Sequence, residues 1–416
     1  KDLAAIASGF NIWLPLYLVV LGVIFASSTI IAQDFGAGRI QRIRDHLPQT
    51  LWVSVFLSLI VAPLCYYSHL GLPWLGIDEL TAEKSSEYIK MVAFGFPAIG
   101  IFMALRYHMQ GVGITSPFAV ASVIGFIANI PLNYMFIFGF GDIPAMGAQG
   151  CGIATAISMW LSALIITLYV LTKKSLQQYM PPLRPVAPDP TTIKEILTIG
   201  APVGATFFLE TAVFAGIALL VSSLGDVAIG AHQIAFNVWD MFYIPMLAIG
   251  SSMATRMGHA LGAQDQQGVF MALKAGILCS GVISVTTMII LLSFPTAIVG
   301  IYSDSRDISL LAVRLLSFAA LFVIIDAVQI VGSFSMRAYK KTRFPFIASM
   351  IAYWLIALPL GYYLGIMNAD NAFDGAAGFW VGIIVGVAVA SVMIAVRLVL
   401  LLRQPIPTGF TPNYEI

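Results

Sequence analysis

The sequence predicts an all-α polytopic membrane protein built from two homologous halves. Of its 416 residues, 59% are hydrophobic and only 10% are charged, and the mean hydropathy is +0.91. About a quarter of the residues of a soluble domain carry a charge. The apolar residues are gathered into runs of about 20, the length that crosses a bilayer as a helix. Each run is continuous rather than alternating apolar and polar, which favours helices over the strands of a membrane barrel.

Eleven apolar runs lie along the chain. They cover residues 10–33, 51–68, 89–111, 117–140, 151–172, 197–223, 227–254, 269–294, 310–334, 345–365 and 376–402. The longest polar connection follows the fifth run, is rich in Pro and begins with two lysines. It divides the chain into an N-terminal bundle at residues 1–172, a linker at 173–196 and a C-terminal bundle at 197–416.

The charges of the connections alternate in sign along the chain. Connections after odd-numbered runs are basic, and those between them are acidic. The basic set is Arg39, Arg42, Arg44, Arg106, Lys173, Lys174, Arg184, Arg256, Arg337, Lys340, Lys341, Arg343 and Arg403. By the positive-inside rule, these connections and the C-terminus face the cytoplasm, and contact with lipid headgroups is the alternative role for the cluster from Arg337 to Arg343. The net charge is only +1, and no basic stripe indicates a nucleic-acid partner.

Several strings of the first half recur in the second. "PFAVASVIGFIANIPLNY" at Pro117 matches "PFIASMIAYWLIALPLGY" at Pro345 with an offset of 228, and "FNIW" at Phe10 matches "FNVW" at Phe236 with an offset of 226. Matches in one order at nearly one offset indicate homologous halves. Halves with an even number of helices share one orientation, so a pseudo-two-fold axis normal to the membrane should relate them, an arrangement found in secondary transporters.

The repeat also predicts a helix that the chain does not contain. The counterpart of the sixth run would lie about 227 residues earlier, before Lys1. We therefore expect a fragment of a protein with two six-helix bundles, in which the first of 12 helices is missing and 11 are present.

Three acidic residues fall inside apolar runs: Glu210, Asp240 and Asp326. The sequence places no Lys or Arg deep in a run to pair with them. A charge at the centre of a bilayer costs about 2.5 kcal/mol or more. Each of these carboxylates should therefore face a cavity, take up a proton or hold a cation.

Polar side chains accompany these acids at helical spacing. Gln233 and Asn237 share a helix face with Asp240, and Gln329 and Ser333 share one with Asp326. Their oxygen atoms suit a hard cation or a proton relay. Helix–helix adhesion is the alternative, and Asn129 with Asn133 fits that alternative well. The sequence contains no Walker A motif, and we expect neither an enzyme nor a bound cofactor.

Four strings carry a specific resemblance to a known family. They are "IANIPLNYMFIFG", "GAHQIAFNVWDMFYIPMLAIGSSMATRMGHALGAQD", "GAPVGATFFLE" and "MRAYKKTRFP". Together they resemble the NorM-like branch of the multidrug and toxic compound extrusion (MATE) family over essentially the whole chain. The resemblance implies two bundles that face each other in a V. It also implies a multi-pass protein of the plasma membrane, which is the inner membrane if the organism is a bacterium. We expect this protein to be a monomer.

The resemblance further implies export of cationic, amphipathic drugs or dyes by alternating access, in exchange for Na⁺ or H⁺. Glu210 and Asp326 match coupling positions of the branch, where they would hold a monovalent cation if the ion is Na⁺, and Asp240 is a third candidate. Asp304, in "YSDSRD", matches an acidic position near the external mouth. Gln233, Asn237, Gln329 and Asn129 complete the expected substrate pathway.

Two departures from the family pattern bear on the coupling ion. The acidic residue of the family's first helix lies outside this chain. Phe322 stands where some sodium-coupled members have Tyr, which removes a possible ligand and weakens the case for Na⁺ over H⁺. A flippase of lipids or lipid-linked oligosaccharides with the same superfold is the alternative function, and it would need a cationic central cavity.

Overall fold

The computed structural model describes residues 2–75, 78–181 and 186–406, and this part of the chain is helical without a β-strand. A 3-10 helix (Ser68–Leu75) extends the second helix, and π-helical turns (Ile351–Ala357 and Tyr363–Met367) flank α14. The α-helices are α1 (Asp2–Gly36), α2 (Ile40–Tyr67), α3 (Glu79–Ala93), α4 (Phe96–Gly111), α5 (Ser116–Phe138), α6 (Gly147–Thr172), α7 (Lys174–Gln177), α8 (Pro190–Ser222), α9 (Asp226–Gly262), α10 (Gln266–Ser293), α11 (Pro295–Val299), α12 (Arg306–Ala338), α13 (Arg343–Met350), α14 (Leu358–Tyr362) and α15 (Ala372–Leu402).

The membrane spans agree with the sequence prediction. Within the described ranges, ten helices are long and apolar enough to cross a membrane, and the bent pair α3–α4 brings the number to 11 when it is counted as one span. The prediction of an all-α polytopic membrane protein is confirmed. Most of the helices are longer than the apolar runs, because backbone hydrogen bonding continues past the charged side chains that end a run, whereas α5 ends at Phe138, before the predicted limit of residue 140.

The third predicted span, residues 89–111, is not one straight helix. It is a pair of helices, α3 and α4, bent by 46° at Phe94 and Gly95. Pro97 in the first turn of α4 has no N–H to continue the ladder of α3. The amides of Phe94 and Gly95 instead bond to the carbonyls of Met91 and Val92, which tightens the turn.

The described chain forms two compact units that divide between Phe208 and Leu209. In the first, α1 packs on α2, α3 and α4, while α6 packs on α3 and α5. The first part of α8 also belongs to this unit, because Gly200 and Gly204 bring its backbone against Val23 and Val19 of α1. Bulkier side chains there would push the helices apart. The bundle boundaries predicted from the sequence, at residues 172 and 197, stay predictions.

The connection before α8 is fastened to α2. The indole N–H of Trp52 donates to the carbonyl of Val186 (2.9 Å), and the Gln49 side chain donates to the carbonyl of Ala187 (3.1 Å). Gln49 also accepts from the amide of Asp189 (2.7 Å). These bonds satisfy backbone groups of a segment without regular structure. Arg184, one of the predicted basic residues, lies outside the described ranges.

In the second unit, α12 occupies a central position. It packs on α9, α10 and α15, and α15 packs on the π-helical turns after α13. Gly378 on α15 faces the backbone of Gly365, so these two elements approach more closely than side chains would permit. The buried face of α12 is therefore surrounded by helices that precede it in the sequence, α9 and α10, and by one that follows it, α15. This position holds the side chains that the sequence singled out.

Candidate functional site

A buried polar stripe runs along α12. The exposed fractions of Asp326, Gln329 and Ser333 are 3%, 4% and 8%. Asp326 Oδ2 and Gln329 Oε1 are buried and accept no hydrogen bond from the described residues. A buried acceptor without a donor is rare because it loses its hydration without compensation. A proton or a cation would supply what these two oxygen atoms lack.

Glu210 joins this stripe through a short chain of hydrogen bonds. Gln329 Nε2 donates to Ser349 Oγ at 3.4 Å, and Ser349 Oγ donates to Glu210 Oε1 at 3.4 Å. The half-buried Glu210 comes from α8, Gln329 from α12 and Ser349 from α13. The carboxyls of Glu210 and Asp326 are also close enough for electrostatic repulsion. The structure thus brings together two acids that lie 116 positions apart in the sequence.

Aromatic side chains pack together beside Asp326. The Trp239 ring lies 4.9 Å from Tyr243, 5.3 Å from Phe322 and 5.4 Å from Phe214, measured between ring centroids. Tyr353 packs on Phe214 at 5.9 Å. The indole N–H of Trp239 approaches Asp326 without the geometry of a hydrogen bond. The mutual packing of these rings leaves Trp239, Phe322 and Tyr353 almost completely buried.

Arg337 corrects one expectation from the sequence. The sequence assigned Arg337 to a basic connection, but α12 continues to Ala338 and leaves this side chain, in the last turn of the helix, only 5% exposed. Its guanidinium lies 4.4 Å from the centre of the Phe334 ring and interacts electrostatically with Glu210. The burial of Arg337 was not predicted because the apolar run of the sequence ends at residue 334. The polar spacing from Asp326 through Ser333 continues to Arg337 and was the available signal.

The α9 stripe has a different environment. Gln233, Asn237 and Asp240 are all exposed, and they lie on one face of the helix as their spacing predicts. Asp240 interacts electrostatically with Tyr243, which also interacts with Glu210 and Asp326. Asp240 is therefore a neighbour of Glu210 and Asp326. Asp240 is exposed, whereas Asp326 is buried.

Asp304 lies apart from the other predicted site residues. It is exposed in the connection that precedes α12. A helix rises about 1.5 Å per residue, so Asp326 lies roughly 30 Å along α12 from that end. The structure does not bring Asp304 into the carboxylate cluster.

Asn129 lies in the first unit, on a separate cavity of about 510 Å³. Trp13, Tyr17, Phe102 and Ser158 are among the uncharged residues that line it. Asn129 Nδ2 donates to Ser158 Oγ at 3.0 Å and its Oδ1 accepts from Asn133 Nδ2 at 2.7 Å. The first bond joins α5 to α6, which is the adhesive role considered from the sequence, and the same side chain faces the cavity.

An ionic network at the end of α1 was also missed by sequence reasoning. Asp34 is 1% exposed and pairs with Arg39 at 2.8 Å and with Arg42 at 3.5 Å. Arg42 in turn pairs with Glu195 of α8 at 3.1 Å. Gly38, with a φ of 71°, makes the turn that returns Arg39 to Asp34. Two arginines assigned to topology therefore also hold helices together.

The oxygen atoms of the acid cluster suit a monovalent cation better than a divalent metal. Among the described residues, no group of three or more His, Cys, Asp or Glu side chains is placed to hold a metal ion. The site instead offers two carboxylates, the amide oxygen of Gln329 and the hydroxyl of Ser349. Oxygen ligands of this kind bind hard cations such as Na⁺, and the carboxylates alone can bind H⁺.

A set of membrane-spanning helices that encloses ionisable groups is typical of a transporter rather than an enzyme. The chain belongs to the MatE family, whose sequence profile matches residues 1–135 and 202–363. It is 34% identical over 397 residues to the multidrug resistance protein NorM of Photobacterium profundum, covering 95% of this chain and 87% of that protein. It is 36% identical over 405 residues to the multidrug resistance protein MdtK of Edwardsiella ictaluri, covering 97% and 89%. The resemblance found in the sequence is confirmed.

Solved structures support the same fold. The crystal structure of the eukaryotic MATE transporter AtDTX14 matches with a TM-score of 0.86 at 20% identity, over 96% of this chain and 87% of that one. An outward-facing multidrug resistance MATE transporter of the MOP superfamily matches with a TM-score of 0.83 at 19% identity, over 97% and 89%. These similarities establish the architecture of a multi-pass MATE membrane protein.

Proposed function

We propose that this protein exports cationic, amphipathic compounds by exchanging them for Na⁺ or H⁺. The observation that carries the proposal is the pair of buried oxygen atoms without donors, Asp326 Oδ2 and Gln329 Oε1, beside Glu210. Relatives over nearly the whole chain are named multidrug resistance proteins. A cluster of this kind can bind either a drug cation or a coupling cation, and the two compete for the same negative charge.

Exchange by competition follows from the electrostatics. When both carboxylates are charged, their mutual repulsion in a poorly hydrated site is relieved by a drug cation. When H⁺ or Na⁺ binds at Glu210 and Asp326, the negative charge falls and the drug is released. The membrane potential adds about 2.3 kcal/mol per elementary charge for each 100 mV, so entry of the coupling ion can drive the return step. In this scheme the site faces the two sides of the membrane in turn.

The other predicted residues have supporting roles in this proposal. The exposed stripe Gln233, Asn237 and Asp240 guides the substrate along α9, and Asp304 attracts cations near the external mouth. Asn129 offers hydrogen bonds from the cavity of the first unit. The basic connections and the C-terminus face the cytoplasm, and the protein acts as a monomer.

A flippase for anionic lipid headgroups fits the cluster less well. Arg337 is a buried cation, but it interacts with the carboxylate of Glu210, and Asp326 adds a second negative charge to the site. A site with more negative than positive groups repels a phosphate.

Transport in proteoliposomes tests the proposal. A fluorescent drug cation is loaded, Na⁺ and pH gradients are imposed separately, and its efflux is followed in the wild type, Glu210→Gln and Asp326→Asn. We expect each variant to reduce gradient-driven efflux by at least tenfold. Glu83→Gln and Asp307→Asn are matched controls, because both side chains are exposed near helix starts. Unchanged efflux in both site variants would show that the acids do not couple transport.

A further inference from the structure

Arg337 is a buried cation that the exchange scheme above does not use. Its side chain is 5% exposed and stacks on Phe334 within the last turn of α12. The neighbouring basic residues Lys341 and Arg343 are exposed, as topology-determining charges normally are. The environment of Arg337 therefore differs from that of the other residues in the basic cluster from Arg337 to Arg343.

The side chain of Arg337 continues the polar stripe of the acid site. Asp326, Gln329, Ser333 and Arg337 follow one another at intervals of three or four residues, so they share one face of α12. Arg337 and Glu210 interact electrostatically. Tyr243 interacts electrostatically with Glu210, Asp326 and Arg337, so Arg337 adjoins the acid site at the end that Glu210 occupies.

The guanidinium changes the charge of this neighbourhood by one unit. Arg remains protonated at any pH that proteins tolerate. With Glu210 and Asp326 ionised, two negative charges and one positive charge leave a net charge of minus one. Without Arg337, the same site would have a net charge of minus two.

We propose that Arg337 makes the acid site select organic compounds with one positive charge over compounds with two. A monocation neutralises a site of charge minus one. A dication leaves an excess positive charge that the guanidinium repels, and this repulsion is strong where water is scarce. Asp240 is exposed on α9, whereas Asp326 is buried, so Asp240 is not counted in the charge of the site. The inference rests on the proposed binding of drug cations at Glu210 and Asp326.

The dyes ethidium and propidium provide a direct test. They share one phenanthridinium fluorophore, and propidium adds a second, quaternary ammonium charge on a side arm. Dissociation constants for both dyes are measured by fluorescence anisotropy on purified protein at fixed ionic strength. The measured quantity is the ratio of the propidium constant to the ethidium constant, so general losses of affinity cancel between variants.

The variants separate charge from structure. We expect the wild type to bind ethidium more tightly and Arg337→Gln to lower the ratio by about tenfold, which corresponds to about 1.4 kcal/mol. Arg337→Lys keeps the charge and should keep the wild-type ratio. Arg314→Gln is the matched control, because Arg314 is exposed on the same helix and also stacks on a ring, that of Phe373. Its ratio should not change.

A second variant keeps the test decisive if Arg337→Gln does not fold. Asp326→Asn with Arg337 intact brings the net charge to zero and should raise the ratio above that of the wild type. A wild-type ratio near one, or an unchanged ratio in folded Arg337→Gln, would overturn the role of Arg337. If Asp326→Asn and Glu210→Gln bind ethidium as the wild type does, the proposed binding site itself is wrong, so the two failures are distinguishable.

Discussion

Replacement of Arg39 by Met should destabilise the protein far more than replacement of Arg42, although both arginines pair with Asp34. Two guanidinium nitrogens of Arg39 lie 2.8 and 2.9 Å from Asp34 Oδ1, and the side chains are 18% and 2% exposed. Arg42 is 49% exposed and lies 3.5 Å from the other carboxylate oxygen. Arg39→Met therefore removes the closer and better buried partner of Asp34, whereas Arg42→Met removes a more distant and more exposed one.

The burial of each partner sets the expected magnitude. Breaking a buried ion pair from one side costs about 3–5 kcal/mol, and the remaining Arg42 should reduce this to about 2–3 kcal/mol for Arg39→Met. An exposed pair contributes about 0–1 kcal/mol, which is the expectation for Arg42→Met. A cooperative unit of about 200 residues shifts by roughly 2–4 °C for each kcal/mol. The melting temperature should fall by roughly 4–12 °C for Arg39→Met and by less than about 4 °C for Arg42→Met.

Thermal unfolding can be followed with a thiol-reactive fluorogenic dye in a background in which the accessible Cys151 and Cys279 are replaced by Ser, since Cys65 is fully buried in the folded protein. The double variant Asp34→Asn with Arg39→Met should recover most of the lost stability, because it removes the buried negative charge together with its main partner. Equal shifts for Arg39→Met and Arg42→Met, or no recovery in the double variant, would refute the assignment of a buried ion pair.

Three further predictions concern packing, capping and ion selectivity. Gly378→Ala should lower the free energy of unfolding by about 1–3 kcal/mol, and the melting temperature with it, because its new Cβ would lie 2.7 Å from the backbone of Gly365. Gly281→Ala is the control, because its Cβ meets nothing within 4 Å, and similar melting-temperature shifts for both variants would contradict the close helix approach. Hydrogen bonds from Thr192, chiefly from its hydroxyl, hold the pKa of Asp189 below its usual range. The ionised carboxylate of Asp189, which accepts hydrogen bonds from the first turn of α8, therefore contributes stability above its unfolded pKa, and this contribution is lost as the pH falls through its folded pKa. The melting-temperature difference between the wild type and Asp189→Asn should be present at pH 7 and vanish in acid. A difference that does not depend on pH would contradict this prediction. Phe322→Tyr places a hydroxyl one turn before Asp326 and should increase sodium-driven relative to proton-driven efflux in proteoliposomes; an unchanged ratio would show that this position does not contribute a ligand.

The helical architecture could be predicted from the sequence because a bilayer imposes it. Each segment that crosses hydrocarbon must satisfy its own backbone, so a continuous apolar run is nearly sufficient evidence for a helix. The residue at which a helix ends in polar surroundings depends on local hydrogen bonds, and the positions of apolar residues in the sequence do not reveal these hydrogen bonds. This is why α12 was predicted to end at residue 334 but reaches Ala338.

The candidate site was predictable in part. Glu210 and Asp326 could be identified because a carboxylate inside an apolar run must be neutralised, hydrated or bound to a cation. The two residues share this requirement, and the structure places them close together. Ser349 and Tyr353 could not be identified, since a Ser and a Tyr are ordinary in a membrane helix and acquire their roles only from tertiary packing. Arg337 was misassigned because a basic residue near a run boundary looks the same in sequence whether its helix stops before it or includes it.

The aromatic packing beside Asp326 gives the protein a built-in optical reporter. Trp239 is 5% exposed and its indole faces the carboxyl of Asp326. The emission of an indole responds to the electric field across its ring, so adding or removing a unit charge at that carboxyl should shift the emission. With seven tryptophans in the chain, replacing the other six by Phe would isolate this signal. If ions or drugs bind at this carboxyl, as we propose above, their binding could then be detected without a label.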